Sequence, residues 1–335
     1  MMRFVANTLH PERYQGARRG YPYFEGWYYK LVDASEQHRL AVIPGIYKGL
    51  TPATTHAFVQ VMDGMSGRVD YFRYPAEAFH AAPNDFDLRI GPNRFRVDRI
   101  DLHLEGPERT VKGSLRFNGT HPWPVSLRSP GVMGWYAWMP FMECYHGILS
   151  LDHAIAGALE VAGTPIDFTG GRGYAEKDWG RRFPAAWIWF QSNHFPAPET
   201  SLTASVALIP WLRGTFRGFI VGLWHAGTLY RFTTYAGAKI EHLQVGDDAV
   251  ELVLRSPDHR LELHIQRADT AILYAPDLTD MTGRVPETMR SSAQVRLTRL
   301  GQPGAPILEE MARNGGLEIV GDIQRLLATK GRGER

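Results

Sequence analysis

Two segments of this sequence place carboxylates among aromatic side chains. The first is Tyr23-Phe24-Glu25-Gly26-Trp27-Tyr28-Tyr29-Lys30, and the second begins Gly173-Tyr174-Ala175-Glu176-Lys177-Asp178-Trp179-Gly180. A carboxyl group buried among apolar groups keeps its proton near neutral pH and can act as a general acid. Glu176 and Glu25 are therefore the candidate proton donors. The structural alternative for the second segment is a salt-bridged corner between two lobes.

Aromatic and amide side chains near these carboxylates are candidates for a binding site. Alternate residues of an extended chain share a face, so Glu25, Trp27 and Tyr29 are expected together. The same period places two indoles and two amides on one face after Pro184, and Trp27 is expected to approach them. Indoles followed by amides form a wall that is apolar at one end and can hydrogen-bond at the other. The predicted substrate-binding residues are Trp27, Tyr29, Tyr174, Trp179, Trp187, Trp189, Gln191 and Asn193.

Short strands must position these side chains, because apolar residues alternate with polar ones along most of the chain. Such runs end in turn residues at three predicted hairpins, around 162–164, 225–227 and 256–258. A short helix is expected only near Asp322 to Lys330. The pattern predicts an all-β protein of two antiparallel lobes, covering residues 1–180 and 181–335, each a barrel or a half-open one.

Composition excludes several classes of protein. The chain has 335 residues, 37 basic and 35 acidic, and a formal net charge of +2, with no basic stripe for nucleic acid. No apolar run approaches the roughly 18 residues of a membrane-spanning helix. Cys144 is the one cysteine, so an intrachain disulfide is impossible and a reducing, cytoplasmic location is expected, with peripheral membrane contact to collect a lipid. Nine tryptophans favour an apolar small-molecule ligand.

Three stretches of the sequence resemble the tocopherol cyclase family. They are YFEGWYYK (23–30), SPGVMGWYAWMPFMECYHGILS (129–150) and GYAEKDWGRRFPAAWIWFQSNHF (173–195). The family is similar in turn to carotenoid hydratases, in which an Asp-His pair stands at the positions of Glu176-Lys177. The resemblance implies two lipocalin-like lobes with the ligand held in or between them. Plant cyclases carry Asn and glycines at the positions of Asp178, Arg181 and Arg182, and the two arginines are suited to an acidic group.

The resemblance implies ring closure of a prenylated hydroquinone to a chromanol. A proton adds to the side-chain double bond, a tertiary carbocation develops, and the phenol oxygen attacks it, so neither a metal nor another cofactor is expected. Glu176 is the first candidate for the acid and Glu25 the second, with Lys177 expected to point away from Glu176. Two alternatives remain open at this stage: a non-catalytic carrier or sensor of an isoprenoid lipid, and a hydratase or different cyclase on the same fold.

Overall fold

The computed structural model describes residues 2–212, 214–301 and 304–331, with the side chains of residues 2 and 3 left out. Contacts group the chain into two compact units, 1–183 with Ala271–Val285, and Pro184–Thr270 with Pro286–Arg335. The predicted boundary between residues 180 and 181 did not anticipate that Ala271–Val285 groups with the first unit. This segment groups with the first unit because Gln60 pairs with Tyr274: the Gln60 amide donates to the Tyr274 carbonyl at 2.9 Å and accepts from its N–H at 2.8 Å.

The first unit is built on one antiparallel sheet. Its neighbouring strands run in the order β4-β3-β2-β1-β12-β10-β9-β8-β7-β6-β5, with β11 paired to β10. The bounds are β1 Tyr23–Val32, β2 Arg39–Lys48, β3 His56–Asp63, β4 Val69–Pro75, β5 Phe79–Ala81, β6 Asp87–Ile90, β7 Asn93–Arg96, β8 Arg99–Glu105, β9 Thr110–Asn118, β10 Cys144–Val161, β11 Thr164–Asp167 and β12 Arg172–Gly180.

The second sheet is also antiparallel, in the order β16-β15-β14-β13-β22-β21-β19-β18-β17, with β20 paired to β21. The bounds are β13 Ala186–Ser192, β14 Thr200–Trp211, β15 Gly214–His225, β16 Thr228–Thr233, β17 Lys239–Val245, β18 Ala249–Arg255, β19 His259–Gln266, β20 Ala271–Ala275, β21 Gly283–Arg299 and β22 Leu308–Gly321. Helices α1 (Met2–Thr8) and α2 (Ile323–Ala328) are short, and 3-10 turns cover Gly16–Arg18, Ala76–Ala78, Gly134–Trp138 and Thr234–Ala236.

Alternating apolar residues build one core in each unit. Leu102 on β8 and Leu252 on β18 are buried in the first and second core respectively, whereas His103 and Glu251 beside them are exposed. The prediction of an antiparallel all-β protein with little helix is confirmed, as are the three hairpins. Closure of the sheets into barrels stays a prediction.

The predicted C-terminal helix is also present. Asp322 caps it by accepting from the backbone N–H of Arg325 at 2.9 Å. Helix α1 was not foreseen. No helix in the described ranges has the length and apolar character that crossing a membrane requires.

The buried ring of His153 on β10 makes the stability of the folded protein depend on pH. Its ring lies 4.5 Å from that of Phe117 and is 1% exposed, and Nδ1 lies 3.0 Å from the Ser150 hydroxyl. Nε2 has no hydrogen-bond partner among the described residues, and a Cβ on Gly173 would approach it to 2.2 Å. Burial lowers the pKa of His153 from 6.5 to about 3. The folded protein therefore holds this ring neutral.

We expect His153 to make the protein less stable as the pH falls. Between pH 6.5 and about pH 3, the His153 ring is protonated in the unfolded chain but neutral in the folded chain. The free energy of unfolding should fall by about 2 kcal/mol from pH 7 to pH 5 through this group. Urea unfolding of His153→Leu should show a smaller loss over that interval. His80→Leu, at an exposed position, should retain the full loss; an unchanged pH dependence in His153→Leu would contradict this account.

Candidate active site

Strand β12 is the centre of the candidate site, because β1 and β10 flank it on either side. Trp27 lies opposite Lys177, and Glu25 lies opposite Trp179. On the other side His146 of β10 lies opposite Asp178. Side chains of neighbouring strands that lie directly opposite share a face. The three strands therefore present one group of functional side chains on each face of the sheet.

The first group is a buried ion pair between Glu25 and Lys177. Both side chains are 0% exposed, and Lys177 Nζ lies 2.6 Å from Glu25 Oε1. Glu25 also accepts from the hydroxyl of Tyr23 at 2.5 Å and from the backbone N–H of Gln15 at 2.8 and 3.0 Å. Both oxygens of this carboxylate are thereby engaged within the protein. The contacts thus favour a structural role for Glu25 over the reserve role of proton donor.

Lys177 points away from Glu176, as expected, and fastens the N-terminal segment to the sheet. Its ammonium donates to the carbonyls of Pro11, at 2.8 Å, and Arg13. Burial lowers the pKa of Lys177, and the charge of Glu25 opposes that shift. The ammonium lies 4.8 Å from the ring centroid of Trp27 and 4.5 Å from that of Trp179. These indoles stabilise a cation of the protein itself.

Trp27 and Tyr29 lie in the apolar core of the first unit. Trp27 stacks on Phe86 at 5.7 Å, and its indole N–H donates to the Glu12 carbonyl at 3.0 Å. The Tyr29 hydroxyl donates to the Arg96 carbonyl at 2.9 Å. Both aromatic side chains are thereby engaged within the unit, and their contact with a substrate stays a prediction.

The second group contains Tyr174, Glu176, Asp178 and His146. The Tyr174 hydroxyl donates to Glu176 Oε2 at 2.5 Å. His146 lies between two carboxylates, with Nδ1 3.0 Å from Asp178 Oδ1 and Nε2 3.7 Å from Glu176 Oε2. Burial of the ring opposes protonation, but Asp178 and Glu176 outweigh it and raise the pKa of His146 to about 9. The ring is therefore an imidazolium at neutral pH.

The same cluster has donor atoms of the kinds that divalent cations bind. One imidazole nitrogen and two carboxylate oxygens lie within 4.8 Å of one another. Each imidazole nitrogen already faces one carboxylate, so ion pairing accounts for this arrangement. Cys144 beside it is not a nucleophile candidate, because burial, Asp178 and Glu143 raise the pKa of its thiol.

His146 is one of the residues that line a cavity of about 370 Å³. Its wall includes the N-terminal segment that Lys177 holds, and it contains the aromatic rings of Phe4, Tyr145 and Trp179. Tyr145 and Trp179 stack with their centroids 5.5 Å apart and an interplanar angle of 9°. A volume of this size is at the lower end of the range of about 300–1,000 Å³ for small-molecule sites. The cavity therefore suits an aromatic head group with a short chain.

The aromatic and amide residues of β13 belong to the second unit. Ile188 and Phe190 enter its apolar core, so Trp187 and Trp189 lie on the opposite face of the sheet. The Trp187 indole N–H donates to Glu318 at 2.6 Å, and Gln191 and Asn193 are fully buried. The predicted alternation along this strand is observed. Ligand binding at this face, and the approach of Trp27 to it, stay predictions.

Sequence reasoning missed His146. It occurs in the block 129–150 that carries the resemblance, but no local pattern connects it with Asp178. Only the pairing of β10 with β12 reveals that connection. Of the two arginines singled out after β12, Arg182 is paired with Glu143 at 2.7 Å.

Comparison with known proteins covers the part of the chain that holds this site. The model of the tocopherol cyclase-like family matches residues 101–321, which is more than half of the chain and includes His146, Glu176 and Asp178. The chain belongs to the tocopherol cyclase-like family. It is 33% identical over 117 residues to the chloroplastic tocopherol cyclase of Zea mays and 31% identical over 117 residues to a probable chloroplastic tocopherol cyclase of Oryza sativa subsp. japonica. Each alignment spans 34% of this chain and 25% of the plant protein.

Solved structures share the fold of this family member at low sequence identity. The structure of CghA with Sch210972 has a TM-score of 0.56 and 13% identity, covering 90% of this chain and 89% of that one. Kievitone hydratase from Nectria haematococca has a TM-score of 0.52 and 14% identity, covering 89% of each chain. Both likenesses concern the fold alone.

Proposed function

We propose that the protein is an enzyme that closes a ring on a prenylated phenol by acid catalysis. The observation that carries this proposal is the position of His146. The ring is protonated at neutral pH and is held between Asp178 and Glu176, and residue His146 is among those that line a cavity with aromatic walls. Membership of the tocopherol cyclase-like family supports a cyclase. A prenylated hydroquinone is the proposed substrate.

The reaction needs one proton and returns one proton. His146 gives its proton to one carbon of the double bond, and a tertiary cation forms at the other carbon. The phenol oxygen bonds to that carbon, and its proton returns to the cluster, so the product is an isomer of the substrate. The raised pKa of His146 keeps the proton available, and enclosure in the cavity brings oxygen and carbon together. Such positioning supplies roughly 7–11 kcal/mol in well-oriented intramolecular reactions.

Product analysis in D₂O tests this proposal. We expect incubation with prenylated hydroquinones of different chain lengths to give a cyclic ether that carries one deuterium at the protonated carbon. A product heavier by one water would instead identify a hydratase. Recovery of a tightly bound but unchanged ligand would identify a carrier, and either result would overturn the cyclase proposal. Parallel reactions with a chelator would show whether a divalent ion at His146, Glu176 and Asp178 takes part.

A further inference from the structure

The charged side chains among the described residues that line the cavity beside His146 are all basic. Arg18 and Arg19 line it with His146, and no carboxylate is among its described lining residues. Its other polar contributions are neutral side chains, such as Asn7 and Gln15. A neutral hydroquinone has no group that would need two guanidinium groups. The two arginines therefore indicate a charge on the ligand that the proposed ring closure does not require.

Neither arginine is neutralised within the described part of the chain. Arg18 and Arg19 are exposed and have no carboxylate within ion-pair distance there. Other arginines of this unit do have such partners: Arg182 lies 2.7 Å from Glu143, and Arg172 lies 2.8 Å from Asp152. A guanidinium group presents a planar fork of donors that matches a carboxylate or a phosphate. Two such forks at a cavity are suited to an anion.

Hydrogen bonds of the preceding residues determine where the two arginines lie. They follow Gln15 and Gly16, and Arg18 ends the 3-10 turn Gly16–Arg18. The backbone N–H of Gln15 donates to Glu25, and the carbonyl of Gly16 accepts from Lys48 Nζ at 2.5 Å. The charge of Arg19 also acts on the hydroxyl of Tyr145, which lines the same cavity, and opposes the burial that raises the pKa of that hydroxyl. The guanidinium groups are thus presented by a fastened segment of chain.

We propose that the ligand of this cavity carries an anionic group on its aromatic head, held by Arg18 and Arg19. Within the proposed class of prenylated phenols, its substrate is then one whose ring also carries an acid group. This inference rests on the proposed function for the reaction, but the binding preference is independent of turnover. A carboxylate and a phosphate are both compact anions that two guanidinium groups could bind. Experiment distinguishes between them.

Binding of three matched probes tests the inference. The probes are 3-prenyl-4-hydroxybenzoate, its methyl ester and the corresponding aryl phosphonate, titrated against the full chain by calorimetry. We expect the carboxylate or the phosphonate to bind at least tenfold more tightly than the ester, with the stronger of the two identifying the anion. Arg18→Gln/Arg19→Gln should abolish the preference. Arg182→Gln, which removes a paired arginine outside the lining, should retain it.

The outcomes separate this inference from the proposed ring closure. Equal binding of acid and ester, or an undiminished preference in the double variant, would overturn the inference. Cyclisation of a neutral hydroquinone would then still support the proposed function. Conversely, preferential binding of the anion without any cyclic product would support the binding site and count against the cyclase.

Discussion

Replacing His146 with glutamine is expected to lower turnover by about two to four orders of magnitude while the ligand still binds. Glutamine is similar in size and retains hydrogen-bonding groups, but it has no proton to give. Turnover at saturating substrate and the dissociation constant should be measured on the same preparation. His80→Gln, at an exposed position, is the matched control and should behave like the wild type. Full activity in His146→Gln would exclude this group as the acid.

The pH dependence of Glu176→Gln separates a proton donor from a residue that positions one. Activity of the wild type should fall as the pH rises through about 9, where His146 loses its proton. Because Glu176 raises the pKa of His146, Glu176→Gln should move this fall toward neutral pH and leave activity in acid. Loss of turnover at every pH would make Glu176 the donor. Normal turnover in Glu176→Gln with loss in Glu25→Gln would assign the acid to Glu25.

Replacing Lys177 with methionine is expected to destabilise the protein by about 3–5 kcal/mol. The change leaves the fully buried carboxylate of Glu25 without its charged partner and the carbonyls of Pro11 and Arg13 without their donor. The midpoint of urea unfolding measures the effect. Arg182→Met is the control, since its pair with Glu143 is partly exposed and its loss should cost less than about 1 kcal/mol.

The double variant Lys177→Met/Glu25→Gln completes the test of the ion pair. Removing both charges should recover part of the stability lost in Lys177→Met, because no unpaired buried carboxylate remains. Additive losses would mean that the two side chains stabilise the fold independently. Because Lys177 also holds the segment that lines the cavity, the single variant should bind ligand more weakly even under conditions where it is folded.

The all-β fold could be predicted from the sequence, because the period of two is a local property. The alternation around Leu252 and Leu261 and the turn between them predict a hairpin whatever the rest of the chain does, and β18 and β19 form it. The same period of two predicts that Glu176 and Lys177 point to opposite faces of the strand. Family membership could likewise be recognised from three local blocks of sequence, which require no knowledge of the contacts between them.

Tertiary structure decided which charges meet. Glu25 and Lys177 are 152 positions apart by their numbers, and nothing near either predicts that the register of β1 against β12 forms a buried pair. His146 resembles an ordinary strand residue until β10 places it beside Asp178 and Glu176. The electrostatic environment of a carboxyl group depends on burial and on charges within a few ångströms. Sequence thus identified the acidic residues, whereas strand pairing determined which charged partner each of them meets.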